Sequence, residues 1–167
     1  FTRSAAETVG SLLVNNNNLT VTFASTPLAA DLSSLSVDDL TISGNASTSA
    51  PTTLTLYGDY TNEGTVDFSG NSTTTFAGTA LQTATGTMTG ASAFNNVEVT
   101  NTSGTDAQSA PSIVFGAATE FADFHANSAG VMVQFQSGQT AAMDNFNVLG
   151  ADGDRVYLYS TDSGIAW

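Results

Sequence analysis

The chain contains no lysine, and its only basic residues are Arg3 and Arg155. Fifteen acidic residues face them, for a formal net charge of −13. Nucleic-acid binding by the usual route takes several Lys or Arg to displace phosphate counterions, and two arginines so far apart in sequence form no such footprint. An anionic membrane surface is excluded on the same ground, as are phosphorylated and other anionic substrates. Cations are the charged partners this composition suits. Cysteine is also absent, which removes disulfides and thiolate metal sites. No apolar run approaches the roughly 20 residues of a membrane span. Charged residues make up only 10% of the chain, against a usual value of about a quarter. The polar surface is therefore left to Thr, Ser, Asn and Gly. That is the composition of an exported, threonine-rich β protein, and the expected location is extracellular or at the cell surface.

A length of 167 residues suits one domain and is ample for a core. A hydrophobic fraction of 41% argues against disorder. The chain opens on Phe1, and we read it as a mature form or a segment of a longer precursor.

What is present is a succession of short alternating runs closed by turn formers. Leu19 to Phe23 follows the Asn15–Asn18 run. Val37 to Ser43, Thr53 to Tyr57, Thr65 to Phe68 and Thr73 to Phe76 come next. Then come Asn96 to Thr100, Ile113 to Phe115, Val131 to Phe135, Asn145 to Leu149 and Val156 to Tyr159. Apolar and polar residues alternating over four to six positions predict half-buried β-strands. Helix signals are thin. Ala5 to Leu13, with Ser4 and Glu7 at capping-box spacing, and Thr26 to Leu35, with Pro27 near its start, are the candidates.

Val97, Ile113, Val131 and Phe146 anchor runs roughly 15 to 18 residues apart, the recurrence expected of solenoid coils. The alternative is an antiparallel β-sandwich, which also shows many short strands. Clear two-residue Asn-Gly or Asp-Gly hairpins do not recur between the strands, Asp152-Gly153 being the one such dipeptide, which favours the solenoid. The expected fold is all-β, with residues 1–51 as a cap or extra strands and residues 52–167 as solenoid coils.

Gly64-Thr65-Val66-Asp67-Phe68-Ser69-Gly70 and Phe94-Asn95-Asn96-Val97-Glu98-Val99, running on to Gly104, carry a resemblance. So do Phe146-Asn147-Val148-Leu149-Gly150 and Val156-Tyr157-Leu158-Tyr159-Ser160, with Ser163, Gly164 and Trp167 after them. Over residues 52–167 the chain resembles bacterial and archaeal cell-surface proteins with right-handed parallel β-helix repeats. The resemblance implies a right-handed β-solenoid within a long exported chain of surface, adhesive or structural role.

Catalytic supply is poor. His125 is the only histidine, and no Gly-x-Ser-x-Gly elbow accompanies it. The close acidic pairs, Asp38-Asp39 and Asp152-Gly153-Asp154, read as turns before they read as an acid/base pair. The chain is not expected to be an enzyme. Asp152 and Asp154, with Asp144 and Asp162 nearby in sequence, are candidate Ca²⁺ ligands, because hard cations take several carboxylate and carbonyl oxygens. Asn18, Asn45, Asn71 and Asn101 each open an Asn-x-Ser/Thr sequon, the acceptor pattern for N-glycosylation. Threonines two apart, at Thr20/Thr22, Thr53/Thr55, Thr73/Thr75 and Thr83 to Thr89, place hydroxyls on one strand face. Such an array orders water, so ice binding is one function to weigh. Phe115, Phe121, Phe124, Phe135 and Phe146 read as core stacks, and Tyr57, Tyr60, Tyr157 and Tyr159 as strand filler or a sugar-stacking surface.

Solenoids end in open strand edges, which invite pairing unless they are blocked. Lysine, a usual blocker, is missing. The expected function is therefore a structural subunit of an extracellular filament or surface layer, polymerising with copies of itself. The segment around Val21 and Phe23 is a candidate for strand exchange. An adhesin or carbohydrate-binding module with glycan partners is the alternative.

Overall fold

The computed structural model describes residues 20–23, 34–42, 44, 46–105, 109–164 and 166, with the backbone alone at 20–23. Along most strands the apolar residues alternate inward and the Thr, Ser and Asn residues outward. Stacking such strands in parallel buries one face of each and leaves the other wet. The result is a parallel β-solenoid of about six turns.

Strand β1 (Thr20–Phe23) comes first. The first full coil is β2 (Ser34–Val37), β3 (Asp39–Ile42) and β4 (Ser47–Ser49). The second is β5 (Thr53–Leu56), β6 (Tyr60–Asn62) and β7 (Thr65–Asp67). The third has β8 (Thr73–Phe76) and β9 (Gln82–Gly86), with a 3₁₀ turn, Gly90–Ser92, on its third side. Ser92 Oγ there accepts a hydrogen bond from the Val66 N–H at 3.0 Å. The last three coils have two strands each. They are β10 (Phe94–Val99) with β11 (Ile113–Phe115), β12 (Thr119–Ala126) with β13 (Met132–Phe135), and β14 (Ala141–Val148) with β15 (Tyr157–Ser160).

One sheet has seven strands in the order β1-β3-β6-β9-β11-β13-β15, and a second has six in the order β14-β12-β10-β8-β5-β2. β4 and β7 form a small third sheet. Every strand pairing in these sheets is parallel. The antiparallel sandwich is thereby excluded. β2, β3 and β4, which precede residue 51, pair in register with β5, β6 and β7, which follow it. Residues 34–49 thus form a coil of the same kind. Of the expected helices, Ala5–Leu13 lies outside the described residues, as does most of Thr26–Leu35. Ser34 and Leu35 belong to β2.

The coil length differs from the expected 15 to 18 residues. Leu35, Leu54, Thr74, Val97, Phe124 and Phe146 form one column, roughly 19 to 27 residues apart. Val97 and Phe146 lie in the six-stranded sheet, whereas Ile113 lies in the seven-stranded one and Val131 directly precedes that sheet's β13. The shorter spacing arises because each coil contributes an apolar run to two sides.

The core changes character along the rod. Leu35, Val37, Leu40, Ile42, Leu54 and Leu56 fill the first coils, and aromatic rings take over after them. Phe94 stacks on Phe121 (5.9 Å, 13°) and Phe115 on Phe135 (5.5 Å, 15°), with Phe68, Phe76 and Phe124 set edge-on or tilted between them. Offset and edge-to-face pairs of this kind add to simple burial. Phe115, Phe121, Phe124 and Phe135 are core residues, as expected.

Buried amides stitch the coils at their corners. Gln82 Nε2 donates to the Gly58 carbonyl (2.6 Å) and the Leu56 carbonyl (3.1 Å), and its Oε1 accepts from the Gly78 N–H (2.9 Å). Asn62 Nδ2 donates to the Thr87 carbonyl (2.7 Å). These side chains satisfy backbone groups where the chain leaves one sheet for the next, groups that would otherwise be stranded in the interior.

Candidate functional site

The last described coil differs from those before it. Among the described residues, β14 is the outer strand of the six-stranded sheet and β15 that of the seven-stranded one, so each has a hydrogen-bonded neighbouring strand on one side only. The apolar columns run out in the same coil. Phe146 lies parallel to Phe124 (6.0 Å, 10°) and continues its stack, yet it is 53% exposed, whereas Phe124 is fully buried. Leu149 beyond it is 66% exposed. Met143, Val148, Val156 and Leu158 are packed only partly against the core. The rod thus presents, at this coil, an apolar cross-section bordered by strand edges. That combination is the usual template for adding another β layer.

A second concave feature runs over the corner shared by several coils. β10, β12 and β14 each break their alternation once. Phe94-Asn95-Asn96-Val97 and Phe121-Ala122-Asp123-Phe124 have two adjacent outward residues between buried ones, and Met143-Asp144-Asn145-Phe146 follows them in register. Asn95, Ala122 and Asp144 fall out of the pairing at the same level, a bulge repeated coil after coil. A shallow groove of about 630 Å³ lies over these bulges, with Asp67, Glu120 and Asp144 among its lining and alanines at 91, 93, 122 and 142. Glu120 is already engaged, since its Oε2 accepts the Gly90 N–H at 2.7 Å. Asp67 Oδ1 accepts the Ser69 N–H at 2.8 Å, and the Ser69 backbone and hydroxyl together hold that carboxyl below the usual range.

The acids singled out in the sequence do separate jobs. Asp152 and Gly153 form the tip of a tight reversal in which Ala151 and Asp154 exchange two backbone hydrogen bonds (2.9 and 3.1 Å). Gly153 takes φ 80° there, a conformation that suits glycine. Asp162 Oδ2 accepts the Ser137 hydroxyl at 2.7 Å, and Asp144 lines the groove. Among the described residues, no three His, Asp or Glu side chains come together in a way that holds a metal ion. Asp39 Oδ1 accepts the Asp59 N–H, and Asp59 Oδ1 accepts the Thr83 N–H, both at 2.7 Å. These carboxylates tie three successive coils. His125 is half-buried on the outer face, in register between Glu98 and Asn147.

Two of the four sequons serve structure. Asn71 and Asn101 are each 1% exposed. Asn71 Nδ2 donates to the Pro51 carbonyl at 2.6 Å, and Asn101 Nδ2 to the carbonyls of Ala80 (2.7 Å) and Ser112 (3.0 Å). Asn101 Oδ1 accepts the Ser103 N–H at 2.8 Å, so its Asn-Thr-Ser triplet is an Asx turn. The folded chain presents neither amide for glycan attachment. Asn18 and Asn45 lie outside the described residues. The side chains of Val21 and Phe23 do too. Their backbone is the first strand of the seven-stranded sheet, paired with β3 of the same chain.

Tyr157 and Tyr159 point outward on β15, their rings nearly parallel at 5.8 Å and 13°. Tyr60, in contrast, is wholly buried. Burial pushes its hydroxyl up from the ordinary phenol range, with the nearby Asn62 amide pulling weakly the other way. Among the described residues, no polar atom meets hydrogen-bond geometry with that oxygen.

Sequence reasoning missed the repeated bulge because it looked for strict alternation. The triplet of Phe-x-x-Val, Phe-x-x-Phe and Met-x-x-Phe was the available signal. Comparison with known protein families, with curated proteins and with solved structures finds no match. No helix among the described residues is long and apolar enough to cross a membrane.

Proposed function

We propose that this chain is a structural module of an extracellular filament or cell-surface layer, assembling with copies of itself through the strand edges of the coil that holds β14 and β15. The observation that carries the reading is Phe146, whose ring extends the internal stack and is half uncovered. A parallel strand laid on β14 would cover that ring and satisfy the strand's outward backbone groups in one step. Such a contact joins unlike surfaces and does not close on itself, which makes a fibre. The low share of charged residues and the threonine-rich surface support an exported role.

Copies carrying −13 repel one another, so assembly should strengthen as salt screens the charge. Sedimentation velocity and negative-stain microscopy of the purified chain at rising salt test this. Growing species and filaments are expected, together with a monomer for Phe146→Asp that keeps the β-type circular dichroism. A wild-type chain that stays monomeric and forms no filaments at high concentration overturns the reading. A second reading, a glycan-binding surface module, draws on the parallel outward rings of Tyr157 and Tyr159. Hits on a glycan array that vanish in Tyr159→Ala would favour it.

A further inference from the structure

The Asp152-Gly153 turn is an acidic motif that neither the bonding between coils nor the assembly reading takes up. It is the only Asp-Gly or Asn-Gly dipeptide in the chain. It lies between β14 and β15, and residues 151 to 155 are all exposed. Elsewhere the carboxylates of Asp39, Asp59, Asp67, Glu120 and Asp162 each accept a hydrogen bond. Among the described residues, none donates to the Asp152 carboxylate. The peptide unit that joins Asp152 to Gly153 is equally free. The two bonds that close the turn join Ala151 to Asp154 and use neither its C=O nor its N–H. A Cβ added at Gly153 would meet nothing within 4 Å, so the tip of the turn stands clear of its surroundings.

These features set the two partners of one reaction side by side. The Gly153 backbone nitrogen follows the Asp152 side chain directly, and its attack on the carboxyl carbon closes a five-membered ring. Proximity favours such an intramolecular step. Two things commonly oppose it. The side chain of the following residue crowds the carbon, and the N–H is held in a backbone hydrogen bond. Glycine removes the first obstacle, and the unbonded N–H removes the second. Exposure supplies the water that reopens the ring.

We infer that Asp152 isomerises spontaneously to isoaspartate. The Gly153 nitrogen bonds to Cγ of the carboxyl in its acid form and gives up its proton, and one carboxyl oxygen leaves as water. The succinimide so formed takes one water back. Opening at Cγ restores aspartate, whereas opening at the α-carbonyl leaves the main chain running through Cβ and Cγ. No oxidant or cofactor is consumed, and the product has the composition of the starting chain. The main chain gains one carbon inside a two-residue turn, so the paired bonds between Ala151 and Asp154 cannot both keep their geometry. The turn belongs to the coil that holds β14 and β15, but the reaction does not depend on self-assembly.

The test incubates the full chain, warm and at mildly acidic pH. Isoaspartyl carboxyls are counted by labelled methyl transfer from a protein-isoaspartate methyltransferase and located by protease digestion and mass spectrometry. Label in the fragment holding residue 152 should rise with time, at a rate within a few-fold of that in a free peptide of residues 149–157. Asp152→Asn, which loses ammonia through the same ring, should raise the rate. Asp152→Ser, which has no carboxyl, should keep that fragment at its zero-time level. Circular dichroism checks that each variant is folded. A folded wild-type chain whose fragment stays at its zero-time level, converts far more slowly than the peptide, or is passed over for label elsewhere overturns the proposal.

Discussion

Replacing Gln82 with Met tests whether buried amides, beyond apolar stacking, hold successive coils together. The two side chains have nearly the same length and volume, so no cavity opens. Gln82 is 0% exposed. Without its amide the buried Gly78 N–H loses its acceptor, and the Gly58 carbonyl loses a 2.6 Å donor. The Leu56 carbonyl still accepts from the Ala77 N–H, and Asn101 Nδ2 still reaches the Ala80 and Ser112 carbonyls. Two backbone groups are therefore stranded. A stranded buried group costs about 1–3 kcal/mol. Gly58 is partly exposed, so its share falls at the lower end. The expected loss is about 2–4 kcal/mol. Urea unfolding followed by circular dichroism measures it, with an unchanged m-value showing that the same surface unfolds. A loss below about 0.5 kcal/mol, the usual range of a neutral surface substitution, would refute the argument that these amides supply what the backbone lacks at the corners.

Other substitutions probe single features. Gly86 sits at φ 90° with its Cα facing Asn62, and an added Cβ would overlap the Asn62 carbonyl oxygen. Gly86→Ala should cost at least about 2 kcal/mol in the same urea assay. Tyr60→Phe removes a buried hydroxyl that has no partner among the described residues, so stability should hold or rise by about 1 kcal/mol; a clear loss would mean that the hydroxyl is bonded after all. The Asp67 carboxyl is held below its ordinary range by Ser69. Its folded pKa lies below its unfolded one, so its contribution is present above the unfolded carboxylate range and is lost as pH falls through the folded value. An NMR titration should show Asp67 protonating at lower pH than in a short peptide, and Asp67→Asn should flatten the acid limb of the stability curve.

The class of fold is legible because alternation is a local property. Thr53-Leu54-Thr55-Leu56 can bury its leucines on only one face, and the composition leaves no charge-rich surface to build a helix on. Coil length is not local. Ile113 and Val97 look like successive turns of one repeat, yet they lie on different sides of the coil, and only pairing assigns them. β12 escaped notice because Ala122 and Asp123 point outward together and break the period. Asn71 and Asn101 are ambiguous in sequence for a related reason. Asn-x-Ser is at once a modification signal and an Asx turn, and the choice between them depends on what surrounds the amide. The exposure of Phe146 was not legible, because which ring continues the Phe124 stack depends on register.

Register also accounts for the scarcity of charge. In a parallel, in-register stack each outward side chain sits about 4.8 Å from its counterparts in the coils on either side. Like charges placed there are destabilising. Among the paired residues no acid faces an acid: Glu98 lies between Thr75 and His125, Asp123 between Asn96 and Asn145, Asp67 beside Ser49, and Glu120 beside Ala142. Where acids do recur one coil apart, at Asp39 and Asp59, each carboxylate accepts a backbone N–H. The rule is tested at Asn145, which is exposed and paired with Asp123. Asn145→Asp puts two carboxylates in register, whereas Asn145→Lys puts opposite charges there. Each pair shifts stability by about 0.2–1 kcal/mol, in opposite directions. The lysine variant should therefore be the more stable of the two at low salt. The difference should shrink towards zero as added salt shortens the screening length from about 30 Å at 0.01 M to about 3 Å at 1 M. Equal stabilities at low salt, or a difference that ignores salt, would mean that in-register repulsion is not what keeps this chain so poor in charge.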